Sequence, residues 1–159
     1  MPMRDDIDDL GQSVQAGNIQ AVSEREDAMR AIPVGAKGLF TLVVAPDHLA
    51  NRFKDAMLPP VLATPVMIMM MENAALNAIK PYLDAGQSAV GTRVDVTHLA
   101  ATPVGRTVNA SAEVTKVDGR RIEFRIEASD GAEKIGTGIH ERIVIDLGKF
   151  SERLAAKTG

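Results

Sequence analysis

Apolar positions in this chain follow two rhythms. Lys37 to Val44 gathers Leu39, Phe40, Thr41, Leu42 and Val43 and stops at Pro46-Asp47, which predicts a first strand. Asp47 is placed to cap a short helix through Phe53, and Leu58-Pro59-Pro60 then imposes a stiff, extended connection. Thr64-Pro65 is a helix start: the Thr hydroxyl accepts an orphan N–H, and proline fits the first helical position. The helix is expected to run to about Leu83, before Asp84-Ala85-Gly86. Pro65 to Met71 carries no charge, so the first two turns should be buried on nearly every side, whereas Asn73, Asn77 and Lys80 make the second half amphipathic.

After Gly86 the period becomes two. Over Ala89 to Leu99, Val90, Thr92, Val94, Val96 and His98 fall on one face and Arg93, Asp95 and Thr97 on the other. Pro103-Val104-Gly105 makes a turn, Val108 to Val117 a second strand, and Asp118-Gly119 a hairpin. Ile122, Phe124, Ile126 and Ala128 alternate with Glu123, Arg125 and Glu127, and Asp130-Gly131 leads into a last strand from Lys134 to about Leu147. The order is strand, long buried helix, then four strands joined largely by hairpins. That predicts an α+β architecture of the hot-dog type, an antiparallel sheet wrapped around a long central helix. Residues 1–32 read as an N-terminal arm, weakly helical over Ser13 to Arg30; residues 33–150 form the domain; residues 151–159 form a tail with one short helical turn. Edge strands and helix surface that one copy covers poorly predict a homodimer or higher homo-oligomer.

Composition narrows the function. The 159 residues suit one domain, and with only 3% aromatics, no Trp and one Tyr, the core must be filled by aliphatic side chains and eight Met, which either simply pack or line an adaptable interior. A net charge of −3 argues against nucleic acid or a membrane surface as partner. Without Cys there is no disulfide, thiolate nucleophile or Cys-based metal site. No apolar run reaches the length of a membrane span and the acidic start lacks a signal-peptide pattern, so a cytoplasmic location is expected.

Glu72 is the conspicuous charge, since helical periodicity sets it between Ile68 and Met69 below and Ala75 and Leu76 above. Thr64, eight residues earlier, lies about 80° round the helix and about 12 Å away by rise, so the two can border one elongated cavity without touching. His98 shares a strand face with Val94 and Val96, the face expected to cover the helix. It is either a structural histidine or, with Glu72, half of a carboxylate–imidazole set that supplies a nucleophile or base and a proton shuttle. His48, His98 and His140 share no ligand spacing, so no metal site is expected, and no nucleophile-elbow motif supports Ser/His/Asp chemistry. Gly91 marks a bulge or a close approach by ligand or backbone; Gly136 and Gly138 relieve crowding or allow curvature. Arg142, on the face of His140, binds an anion or forms a salt bridge.

Blocks spread from Leu58 to Phe150 resemble the fluoroacetyl-CoA thioesterase-like family of hot-dog acyl-CoA thioesterases: Leu-Ala-Thr64-Pro-Val-Met, Met-Glu72-Asn-Ala, Ser88-Ala-Val-Gly91-Thr, Val-Thr-His98-Leu-Ala-Ala-Thr-Pro-Val-Gly105 and Ile-Gly-Thr-Gly-Ile-His140-Glu-Arg142. The resemblance implies a catalytic set of Thr64, Glu72 and His98, with Gly91 as backbone donor, Arg142 near the bound substrate and Leu58 in the lid, at a position where the fluoroacetyl-specific member carries Phe. Pro65 likewise stands where that member has Gly. It further implies hydrolysis of a short acyl-CoA thioester, fluoroacetyl-CoA or a related small acyl-CoA, with no cofactor, because coenzyme A is part of the substrate. The alternatives are a hot-dog enoyl-CoA hydratase and a non-catalytic acyl-CoA-binding dimer.

Overall fold

Strict alternation makes the centre of the sheet. In strand β4 (Arg121–Ser129), Ile122, Phe124, Ile126 and Ala128 are buried while Arg121 and Arg125 face solvent. The structure, a computed structural model, describes residues 32–159, which form one compact unit. The expected arm and its weak helix over Ser13 to Arg30 lie outside the described residues. Around β4 run β1 (Lys37–Val43), β2 (Gln87–His98), β3 (Thr107–Asp118) and β5 (Lys134–Asp146), all antiparallel, in the order β1-β3-β4-β5-β2. Helix α2 (Thr64–Ile79) packs against all five strands, which is the hot-dog arrangement. A one-turn helix α1 (Ala50–Phe53) precedes it and α3 (Leu147–Thr158) follows the sheet.

Two hairpins, β3–β4 and β4–β5, follow the expectation, but β2 and β3 are not neighbours. The Pro103-Val104-Gly105 turn, with Gly105 at φ +89°, instead begins a crossover from one edge of the sheet toward the other. The Asp130 carboxylate anchors the second hairpin, accepting from the Ala132 and Glu133 N–H groups at 3.0 Å each and from the buried Thr102 hydroxyl at 3.2 Å. Burial alone would raise its pKa, but these bonds outweigh it and hold the carboxyl below its usual range.

Several boundaries differ from the sequence reading. Asp47 does not cap: the N–H of Ala45 is taken by His48 Nδ1 at 2.9 Å. Helix α2 ends at Ile79 and tightens to a 3₁₀ turn over Lys80–Tyr82, because Pro81 cannot donate the next helical bond. The tail is a three-turn helix rather than one turn; Asp146 caps it by accepting from the Lys149 N–H at 2.9 Å, and Leu147, Phe150 and Leu154 recur at helical spacing. Burial of α2 is also less complete than expected. Val66, Met67, Met70, Met71, Ala74, Ala75 and Ala78 are buried, but a stripe through Pro65, Ile68, Met69, Glu72 and Leu76 stays partly or fully open. The buried methionines simply fill the core. Met67 and Met71 lie so close to Gly136 that a Cβ there would come within 3 Å of both, so this glycine relieves crowding.

Candidate active site

The segment before α2 is fixed by backbone bonds, and these set the position of Thr64. Leu62 pairs with Leu49, its N–H donates to the Thr102 carbonyl at 2.8 Å, and the Ala63 N–H donates to the His48 carbonyl at 2.9 Å. Ala63, not Thr64, is the N-cap residue, and Thr64 and Pro65 are the first two helical positions. The Thr64 hydroxyl is therefore spared from capping and pairs with His98 Nδ1 at 2.8 Å. Burial lowers the His98 pKa, opposed by the backbone of Ala100, and its Nε2 is buried without a hydrogen-bond partner.

Strand β2 reaches the helix through a change of phase. The β2–β5 register shifts between Gly91 and Arg93, an extra residue that puts Gly91 on the same side as Val94, Val96 and His98, through their partners Arg142, His140, Gly138 and Gly136. Val90 and Thr92, expected on that side, point to the other. Thr92 Oγ1 instead donates to Glu141 Oε1 at 2.8 Å on the outer face, where Arg121 Nη1 donates to the same oxygen at 2.8 Å. The Thr92 and Arg121 bonds hold the Glu141 carboxyl below its usual range against the opposing effect of burial.

Two turns along α2 from Thr64, the Glu72 carboxylate meets a second group of residues. Arg142 Nη1 lies 3.8 Å from Glu72 Oε2, and a Cβ at Gly91 would sit 3.5 Å from the same oxygen, 3.6 Å from Arg142 Nη1 and 3.3 Å from His140 Cε1. Gly91 is thus both next to a bulge and an open window onto the carboxylate. Arg142 is buried, donates from Nη2 to the Ala89 carbonyl at 2.7 Å and pairs through Nη1 with His140 Nε2 at 3.2 Å. Burial pushes its pKa down and Glu72 opposes this.

Of the sequence-derived set, the chain brings Thr64 to His98 and Glu72 to Gly91 and Arg142; Glu72 and His98 are not paired within one chain. Leu58 packs on the core and lines a surface cleft of about 390 Å³ with Lys54, Pro59, Thr64, His98 and Leu99. Sequence reasoning gave His140 no role, although its shared face with Arg142 was visible. Among the described residues no three His, Asp or Glu side chains converge as a metal cluster.

A model of the family described as fluoroacetyl-CoA-specific thioesterase matches residues 44–147. The chain belongs to this family. The fluoroacetyl-CoA thioesterase of Streptantibioticus cattleyicolor is 43% identical over 138 residues, covering 84% of this chain and 97% of that protein. A solved structure of a fluoroacetyl-CoA thioesterase is 41% identical with a TM-score of 0.76, covering 80% of this chain and 98% of the other. A hypothetical protein of Thermus thermophilus described as a thioesterase superfamily member is 31% identical, also with a TM-score of 0.76, covering 81% and 95%. Family similarity therefore begins just after β1, upstream of Leu58, and takes in the cleft and every residue of both clusters.

Proposed function

We propose that this thioesterase hydrolyses a short acyl-CoA, with Glu72, Thr64 and His98 as its catalytic residues. The observation that carries this reading is the half-exposed Glu72 carboxylate, held 3.8 Å from the buried Arg142 guanidinium and beside Gly91, where a side chain would press on it. Glu72 either attacks the thioester carbonyl carbon or takes the proton of an attacking water. In both routes one water is consumed, the C–S bond breaks, and CoA leaves as its thiol beside a free carboxylic acid. The Thr64–His98 pair supplies a hydroxyl and a neutral imidazole at the cleft mouth, and Arg142 and the Gly91 N–H steady developing negative charge. Leu58 in place of an aromatic lid favours small acyl groups in general rather than fluoroacetyl alone. No resident cofactor is required, since CoA enters with the substrate, and the reaction suits a cytoplasmic enzyme; no helix among the described residues is long and apolar enough to cross a membrane.

The similarity to a fluoroacetyl-CoA thioesterase supports a small acyl-CoA as substrate. CoA release from a panel of acetyl-, fluoroacetyl-, propionyl- and butyryl-CoA tests the assignment. Micromolar binding without turnover would replace hydrolysis by a binding role, and hydration of crotonyl-CoA would point to the hydratase alternative.

Open apolar surface on α2 (Met69, 38% exposed), on β2 (Val94, 39%) and at Leu99 just beyond it (52%) supports a homodimer that covers this side of the site. Sedimentation should give twice the 17.0 kDa chain mass. A monomer that turns over substrate at the full rate would overturn the dimer.

The direction of the His98 shift gives a pH expectation. Burial keeps the ring neutral to below its ordinary value near 6.5, so kcat should hold through pH 6.5 and fall only at lower pH, as both ring nitrogens become donors. A kcat–pH profile checks this, and an acid limb unchanged in Thr64→Val and His98→Gln would assign it elsewhere.

A further inference from the structure

His140 lies outside the Thr64, Glu72 and His98 set, yet it is the most constrained titratable side chain near the site. It is 1% exposed, and its ring stacks on Phe124 with centroids 5.8 Å apart and planes at 28°. Nδ1 is 2.8 Å from the Arg93 carbonyl oxygen. A carbonyl only accepts, so Nδ1 carries the proton and a neutral ring must present its lone pair at Nε2. That lone pair meets Arg142 Nη1 at 3.2 Å. The carbonyl it bonds belongs to the residue where the register of β2 resumes after the bulge, so one ring ties the bulge to the guanidinium.

Arg142 has few other ties. Nη2 donates to Ala89, and Nε is buried without a partner. Its Nη1 lies 3.8 Å from the Glu72 carboxylate, beyond hydrogen-bond length. An arginine free to rotate would close that gap into a charge-assisted pair and occupy the oxygen that the reaction needs.

We propose that His140 is a positioning residue for the thioester hydrolysis proposed above, holding Arg142 through Nε2 so that its charge supports Glu72 without hydrogen-bonding it. The charged groups acting on the ring are Arg142 and Glu72 on its own side and Glu141 on the outer face of the sheet. Burial, the strongest influence on the ring, and Arg142 both favour the neutral form; the Arg93 bond, Glu72 and Glu141 oppose them without reversing the shift.

Two substitutions separate the two ends of the ring. In His140→Gln the side-chain oxygen reaches the place of Nε2 and accepts from Arg142; in His140→Asn the amide can meet the Arg93 carbonyl but falls short of Arg142. With the short acyl-CoA that wild type turns over fastest, His140→Gln should stay within about threefold of wild-type kcat, while His140→Asn should lose roughly 10- to 100-fold with KM little changed. Unfolding midpoints should be similar for the two. Equal kcat values for the two folded variants overturn the proposal.

Nitrogen-detected NMR of wild-type His140 gives a readout that does not depend on activity. The Nδ1–H neutral tautomer should be the form present at neutral pH and down through the ordinary histidine value near 6.5. An Nε2–H tautomer, or a ring already doubly protonated at or above that value, overturns the proposal even if the variants fail to fold. Absence of turnover in wild type would refute the thioesterase reading and leave the tautomer result to stand on its own.

Discussion

Glu72→Gln should fold normally and lose on the order of 10³-fold or more in kcat toward its best short acyl-CoA, with KM changed by less than about threefold. The amide keeps the shape of the carboxylate but is neither a base nor a useful nucleophile, so the loss falls on the chemical step in either route. Stability should change little. The Glu72 side chain is 37% exposed and its contact with Arg142 is at 3.8 Å, while Arg142 keeps its bonds to Ala89 and His140. Steady-state CoA release and thermal unfolding of the same preparation measure both effects. Equal rates for wild type and Glu72→Gln would remove Glu72 from the mechanism.

The largest stability effect is expected far from the carboxylate, at Gly38→Ala. A Cβ at Gly38 would fall 2.1 Å from the Ala74 carbonyl oxygen and 2.3 Å from the Ala78 nitrogen, both backbone atoms of α2. No side chain can rotate away from such a clash, so β1 and α2 must separate, at more than the roughly 1–3 kcal/mol of ordinary overpacking. Against a total stability of about 5–15 kcal/mol this is a large fraction, and Tm should fall by roughly 10 °C or more. Gly148→Ala is the control. It lies in the first turn of α3, where the nearest atom to a Cβ is Asp146 Oδ1 at 3.3 Å, and its Tm should match or slightly exceed wild type. A Tm for Gly38→Ala within 3 °C or so of wild type would show that the helix and β1 can part cheaply.

Much of this molecule is legible in its sequence where one period holds over a whole element. β4 alternates without fault from Ile122 to Ala128, and the uncharged run from Pro65 to Met71 marks the central helix. Legibility fails where a local event resets the count. The extra residue between Gly91 and Arg93 reverses the phase of β2, so His98 lies on the expected side while Val90 and Thr92 do not. Pro81 shortens α2, and Asp146 begins a helix whose apolar positions are too sparse to stand out in a short terminal segment. For the site, residue types and spacing were enough to single out Thr64, Glu72 and His98. They did not reveal how these residues are partnered. That depends on the ladder register, which sets Gly91 opposite Arg142 and Val94 opposite His140, and on the hydrogen bonding that leaves the Thr64 hydroxyl free for His98.

The strand order also bears on how the chain assembles. β3, β4 and β5 are sequential neighbours and close through short turns, whereas β1 must find β3 across more than sixty intervening residues and β2 must find β5 past both hairpins. Loop-closure entropy makes the two outer pairings the late and slow ones. Thr64 and Glu72 sit on the helix between those outer strands in sequence, and Gly91 and His98 sit on β2 itself. A half-assembled chain therefore has a finished central meander and no active site, so recovery of activity during refolding should lag behind recovery of the sheet.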